Sequence, residues 1–286
     1  MDEFRASDLR FAADSSQPGC RRMASRVRFL LSRLLWASRL CHLLVIDKGT
    51  FKLRFHPTAL SASYWVDSNA RQEDESLIGA YLRPGDVMID VGANVGALTL
   101  TAAAVVGAGG RVFAIEPHPR IFQYLSSNVR LNRFENIELL NCAVGASAGT
   151  AAFSDRRSDD QNAVAAEGDI HVAVETLDTL LDTKVERVAL LKVDVEGYEK
   201  FAFEGASHIL QKTELVYFEA WERHFARFGY ATRDLQTLLS SAGFRLFRRA
   251  GNKLVALPEG YTARSCQNLL ATRDVARLAE RLGVEA

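Results

Sequence analysis

The sequence predicts an α/β fold: a doubly wound, mostly parallel, Rossmann-like sheet carrying an N-terminal helical and β-hairpin extension. Three observations predict it. Apolar strand-length runs alternate with helix-length segments from Val87 to Phe218, the pattern of repeated strand–helix–strand units. The run Val87-Met-Ile-Asp-Val91 passes through the turn Asp90-x-Gly92-x-Asn94-x-Gly96 into an apolar helical stretch. The next strand, Arg111-Val-Phe-Ala-Ile115, ends in Glu116. We divide the chain into an extension, residues 1–65, and a main domain, residues 66–286.

The extension opens on an uneven distribution of charge. From Ser15 to Ile46 there is no acid, while Arg21, Arg22, Arg26, Arg28, Arg33 and Arg39 are present. On a helical wheel Val27, Leu30, Leu31 and Leu34 share one face and the arginines flank it, which predicts a basic amphipathic helix. Its first reading is a helix docked on the core with arginines in water. Its second is peripheral contact with an anionic membrane surface. The segment is too short and too charged to span a bilayer. Residues 43–66 read as short strands, with Leu43–Ile46 and Phe51–Phe55 separated by a turn at Asp47-Lys-Gly49.

In the main domain, residues 70–82 read as a helix with acids in its first turns, and Arg83-Pro-Gly-Asp86 as the turn before the first core strand. A helix follows over 119–132, then a strand at Ile137-Glu-Leu-Leu140. Residues 144–175 read as an edge hairpin around a polar loop, Ser154 to Asp169. Val188-Ala-Leu-Leu-Lys-Val193 reads as a buried strand, 198–210 as a helix, and Leu215-Val-Tyr-Phe218 as another strand.

Composition removes several classes of function. Hydrophobic residues make up 48% and charged residues 24%, enough for a sizeable core. The net charge is zero, so electrostatics give no case for a nucleic-acid partner. The four cysteines, Cys20, Cys41, Cys142 and Cys266, form no Cys-x-x-Cys pair. They match a reducing, cytoplasmic setting better than a zinc finger or a disulfide framework. The acidic start, Met-Asp-Glu-Phe, does not read as a secretory leader.

The motif at 90–116 points to a cofactor containing a nucleoside. Gly92 and Gly96 let the backbone turn sharply, and a carboxylate ending the second strand, Glu116, accepts hydrogen bonds from both hydroxyls of a ribose. A dinucleotide needs a second glycine to admit its pyrophosphate, and Asn94 stands there instead. Asp90 also sits poorly beside a diphosphate and suits a cationic group. S-adenosylmethionine meets these conditions: it has a ribose, a sulfonium and an amino group, and no phosphate.

Asp90-Val-Gly-Ala-Asn-Val-Gly96, Glu116-Pro117 and Lys192-Val-Asp-Val-Glu-Gly-Tyr-Glu199 together resemble the FkbM-type methyltransferases, over about residues 66–220. The resemblance implies a class I, S-adenosylmethionine-dependent enzyme that methylates a hydroxyl oxygen, with a small-molecule or glycan acceptor. It places Asp90, Gly92, Asn94 and Gly96 on the methionine side of the cofactor, Glu116 and Pro117 at the ribose and adenine, and Cys142 and Ala143 at the adenine edge. Cys142 departs from the aspartate usual there, so the backbone would carry that contact.

The acceptor end is assigned to three residues. Asp194 follows the strand across the switch from the glycine turn and is placed to align an acceptor hydroxyl and take its proton. Glu196, two residues on, points the same way if the backbone stays extended. His224 follows the next strand within reach of the same proton. Glu199 reads as an acid favoured at a helix N-terminus. Convergent carboxylates at 194, 196 and 219 also suit a divalent metal, but we read them as positioning and base groups and assign no metal. Two rivals remain: a protein that binds the cofactor without turnover, and a nicotinamide oxidoreductase.

Overall fold

The computed structural model describes residues 40–154 and 170–285, together with Arg28, Leu31, Ser32, Leu34–Trp36, Val164 and Gly168. Its main sheet has eight strands in the order β12-β11-β13-β10-β9-β3-β4-β5. The parallel centre comprises β3 (Val87–Val91), β4 (Arg111–Ile115), β5 (Ile137–Leu140), β9 (Val188–Val193) and β10 (Thr213–Ala220). Antiparallel pairing enters through β13 (Gln267–Thr272), which lies between β10 and β11 (Arg245–Ala250), with β12 (Lys253–Ala256) outermost. The chain moves from β3 to β4 and β5 on one side, then returns to β9 on the other. The reversal between β3 and β9 opens a crevice at their carboxyl ends, where open α/β sheets bind ligands.

Both faces of this sheet are buried. Ile89, Phe113, Leu191 and Phe218 face one apolar cluster, while Met88, Val112, Leu190 and Leu215 face another. The alternation explains why the central strands read as continuous apolar runs.

Several local readings need correction. Residues 59–66 form a helix, Ala59–Val66, rather than a strand; the Thr58 hydroxyl accepts from the Ser61 N–H and starts it. The true hairpin of the extension is β1 (Val45–Asp47) with β2 (Lys52–Arg54). Residues 143–175 do not extend the main sheet. β6 (Ala143–Val144), β7 (Gly149–Phe153) and β8 (Ile170–Glu175) form a separate sheet, ordered β6-β8-β7. Most of the predicted 154–169 loop lies outside the described residues.

The helix expected over 198–210 is two helices, Glu199–Glu204 and Ser207–Lys212. At Gly205 an added Cβ would lie 2.1 Å from the Gly145 carbonyl oxygen, so two backbones cross there and the helix breaks. The Asp178 carboxylate caps the second helix, accepting from the His208 and Ile209 N–H groups at 3.0 and 2.9 Å.

Much of the basic amphipathic helix, including Val27, Leu30 and Arg33, lies outside the described residues. Of its expected buried face, Leu31 and Leu34 are exposed. Leu35 and Trp36 pack against the apolar cluster of the extension instead. No helix among the described residues is long and apolar enough to cross a membrane.

Candidate functional site

A cavity of about 500 Å³ opens at the carboxyl ends of β3, β4 and β9. Gly92, Asn94, Glu116, Pro117, Cys142, Ala143, Asp194 and Glu196 all line it. Ser63 and Tyr64 of the extension, Arg71 near the start of the main domain, and Phe153 of the small sheet with its bridge partner Val164 also line it. The sheet therefore brings together most of the residues assigned from sequence.

The turn that forms its floor is closed upon itself. The Gly92 and Ala93 N–H groups donate to the Ile115 carbonyl at 2.9 and 3.0 Å, and Gly96 N–H donates to the Ala93 carbonyl at 2.9 Å. Asn94 N–H donates to Glu116 Oε2 at 2.9 Å, and Val95 N–H to Asn94 Oδ1 at 2.7 Å. All five amides from 92 to 96 are thus satisfied within the protein. A pyrophosphate needs free amides at this place, so the turn suits a nucleoside without phosphate. Gly92, Asn94 and Gly96 all have left-handed φ, 77°, 52° and 91°. A Cβ on Gly92 would fall 1.9 Å from the Asp194 carbonyl oxygen, so only glycine lets the two strand ends approach. Gly96 does not line the cavity; it caps the following helix, Ala97–Val106, and packs against Leu125.

Glu116 is held in place from two sides. Its Oε1 accepts from the His118 N–H and its Oε2 from the Asn94 N–H, both at 2.9 Å. Asn141 donates to the Glu116 and Pro117 carbonyls and fixes the same segment. Cys142 behaves as an apolar packer: burial, with the charge of Glu175, pushes its thiol up to about 11.

Asp90 is a correction. It is fully buried and does not line the cavity. Its register partner on β9 is Lys192, whose Nζ lies 3.0 Å from Asp90 Oδ1, while Thr99 donates to Asp90 Oδ2 at 2.6 Å. The cation that Asp90 faces is a lysine of the chain itself. Burial acts to lower the Lys192 ammonium, but Asp90 and Asp194 outweigh it and hold the group above its ordinary range. Lys192 also donates to the Gly92 carbonyl at 2.8 Å, tying the glycine turn to β9.

At the other end of the cavity, Asp194 Oδ2 lies 3.5 Å from Arg71 Nη2 and 3.8 Å from Lys192 Nζ. Arg71 also pairs with Asp74 at 2.6 Å. The backbone does not stay extended beyond Asp194: Glu196 and Gly197 have φ of 56° and 105°, so Glu196 turns away rather than lying parallel to Asp194. Its carboxylate instead meets His224, which stands 3.4 Å from Glu196 and 3.3 Å from Glu219. Glu199 is fully buried, and burial pushes its carboxyl up to about 8. It braces this turn by accepting from the Val195 and Gly197 N–H groups at 3.0 and 3.3 Å.

Sequence reasoning missed Arg71 and Lys192. Lys192 carried a signal, being a lone charge inside an apolar strand, which demands a buried partner. Arg71 carried none, because its partner Asp194 is distant in sequence.

Comparison with known proteins gives the same family. The methyltransferase FkbM domain matches residues 90–246. The hexuronic acid methyltransferase AglP of Haloferax volcanii is 30% identical over 161 residues, covering 55% of this chain and 62% of that protein. The chain thus spans less than two thirds of the curated relative that it matches. Among solved structures, the methyltransferase FkbM from Methylobacillus flagellatus is 17% identical, over 86% of this chain and 59% of that one, with a TM-score of 0.44. Aeropyrum pernix fibrillarin, solved with natively bound S-adenosyl-L-methionine, is 15% identical over 70% of this chain and 74% of that one, with a TM-score of 0.42. The domain match runs over more than half of the sequence and takes in both the glycine turn and the Lys192–Glu199 segment, so this chain belongs to the FkbM methyltransferase domain family.

Proposed function

We propose that this protein is an S-adenosylmethionine-dependent methyltransferase acting on a hydroxyl oxygen of a sugar, glycolipid or natural product. The observation that carries the reading is the arrangement of one cavity. A braced carboxylate, Glu116, stands at one end, a glycine turn with no spare amide forms the floor, and Asp194 stands at the other end. The hexuronic acid relative supports a sugar acceptor.

When bound, the cofactor supplies a methyl group on a sulfonium. The chain's own residues do the rest. Glu116, a carboxylate at the cavity edge, accepts from the hydroxyls of a ribose. Pro117, Cys142 and Ala143 line the adenine side, with the cysteine as thiol and the backbone carrying polar contacts. Asn94 and the Gly92 and Gly96 bends shape the methionine side. Asp194 aligns the acceptor hydroxyl and accepts its proton as the new bond to carbon forms. Glu196 completes the acceptor wall, and His224, which does not itself line the cavity, stands behind it at 3.4 Å.

Calorimetry against S-adenosylmethionine and NAD, then methyl transfer to uronic acids, neutral sugars and lipid-linked glycans, tests the reading. Tight S-adenosylmethionine binding with transfer to a hydroxyl is expected. NAD binding more tightly would overturn it, and binding without transfer to any hydroxyl would leave only a cofactor-binding protein.

A further inference from the structure

We propose that Glu196, Glu219 and His224 form a binding site for one divalent transition metal of the Mn²⁺ or Zn²⁺ class, reaching the acceptor end of the cavity through Glu196. The inference rests on reading that end of the cavity as the acceptor side.

Three elements supply the three donors: the left-handed turn after β9, the last residues of β10, and the helix Glu222–Phe225. One ligand atom from each lies within 4.8 Å of the other two. The imidazole nitrogen Nδ1 of His224 is buried and makes no hydrogen bond, although carboxylate oxygens stand 3.4 and 3.3 Å away. A charge-assisted hydrogen bond would close to about 2.8 Å. Four-coordinate metal bonds of about 2.1 Å place neighbouring donors roughly 3.4 Å apart. The two histidine–carboxylate spacings are those of atoms sharing an ion rather than a proton.

The surroundings agree. Among the described residues Glu219 pairs with no lysine or arginine; its other oxygen accepts from the Cys266 thiol at 3.0 Å. That contact orients the carboxylate. Two carboxylates and one imidazole suit Mn²⁺ or Zn²⁺ better than an all-oxygen ion such as Mg²⁺. Three protein ligands leave positions open, and Glu196 lines the cavity.

A hydroxyl bound there becomes more acidic. In the transfer, the O–H bond breaks and its proton passes to Asp194. The oxygen forms a bond to the methyl carbon, and the carbon–sulfur bond breaks with its electron pair returning to sulfur.

The test uses the full chain, stripped of metal by chelation and dialysed. It is titrated with Mn²⁺ and Zn²⁺ by calorimetry, with Mn²⁺ also followed by electron paramagnetic resonance. A single site is expected, weakened at least about tenfold in both His224→Asn and Glu219→Gln. S-adenosylmethionine binding, measured in parallel, reports that each variant is folded. No metal binding by the unaltered protein, or equal binding by both folded variants, overturns the proposal and leaves His224 as a positioning group between two glutamates. Cofactor binding without metal binding refutes this inference alone. Metal binding without cofactor binding refutes the proposed function and leaves the metal site standing.

Discussion

Replacing Lys192 by methionine tests the reassignment of Asp90. The change keeps the length of the side chain and removes its charge. Asp90 then stays fully buried, with the Thr99 hydroxyl at 2.6 Å as its remaining side-chain partner. The lost contacts are the 3.0 Å ion pair to Asp90 and the 2.8 Å hydrogen bond to the Gly92 carbonyl. Removing one member of a buried ion pair costs about 3–5 kcal/mol, most of it the penalty of an uncompensated charge. For a domain of this size that corresponds to a fall in Tm on the order of 10 °C. Urea unfolding measures it. Asp90→Asn combined with Lys192→Met should recover much of the loss, because no buried charge then remains, and an amide still accepts from Thr99. A single variant costing under about 1 kcal/mol, or a double variant no better than the single one, would refute the buried pair. It would return Asp90 to the cofactor.

Other perturbations follow from the same geometry. Glu116→Ala should weaken S-adenosylmethionine binding by about 1–3 kcal/mol by calorimetry; unchanged affinity would exclude a ribose at Glu116. Asp194→Asn should leave cofactor affinity close to that of the unaltered protein and cut single-turnover transfer by about two orders of magnitude; surviving turnover would move the proton acceptor elsewhere, to His224 first. Glu199 has a folded-state value raised to about 8 from an ordinary 4.5, so the native state binds a proton that the unfolded chain has released. Stability should therefore fall as pH rises from about 4.5 to about 8 and level off beyond. Glu199→Gln should flatten that slope in denaturation curves recorded across the window, and an unaltered slope would reject the protonated Glu199. Leu31, Leu34, Leu40, Leu43 and Val45 are exposed within the acid-free stretch, so the full chain should bind anionic vesicles in a salt-sensitive way. Leu31→Ser with Leu34→Ser should weaken that binding; equal flotation of the double variant would place the contact elsewhere.

The sequence by itself determined the parallel centre of the fold and the glycine turn and Glu116 that line one end of the cavity. Those features are local: an apolar strand, a turn whose glycines need left-handed φ, and a carboxylate at the next strand's end lie within about thirty residues. Strand-and-helix alternation brings them together in only one way. Only the tertiary structure decided which charges face which. Asp90 looks outward in the motif and is answered from β9, because parallel register sets it opposite Lys192. Arg71 reaches Asp194 from the start of the helix Gln72–Tyr81, and Glu196 leaves its neighbour Asp194 for His224 because the backbone turns left-handed there. The small sheet after β5 and the split helix at Gly205 depend likewise on where two backbones meet. Such contacts arise when distant segments pack, and no periodicity or spacing within either segment records them.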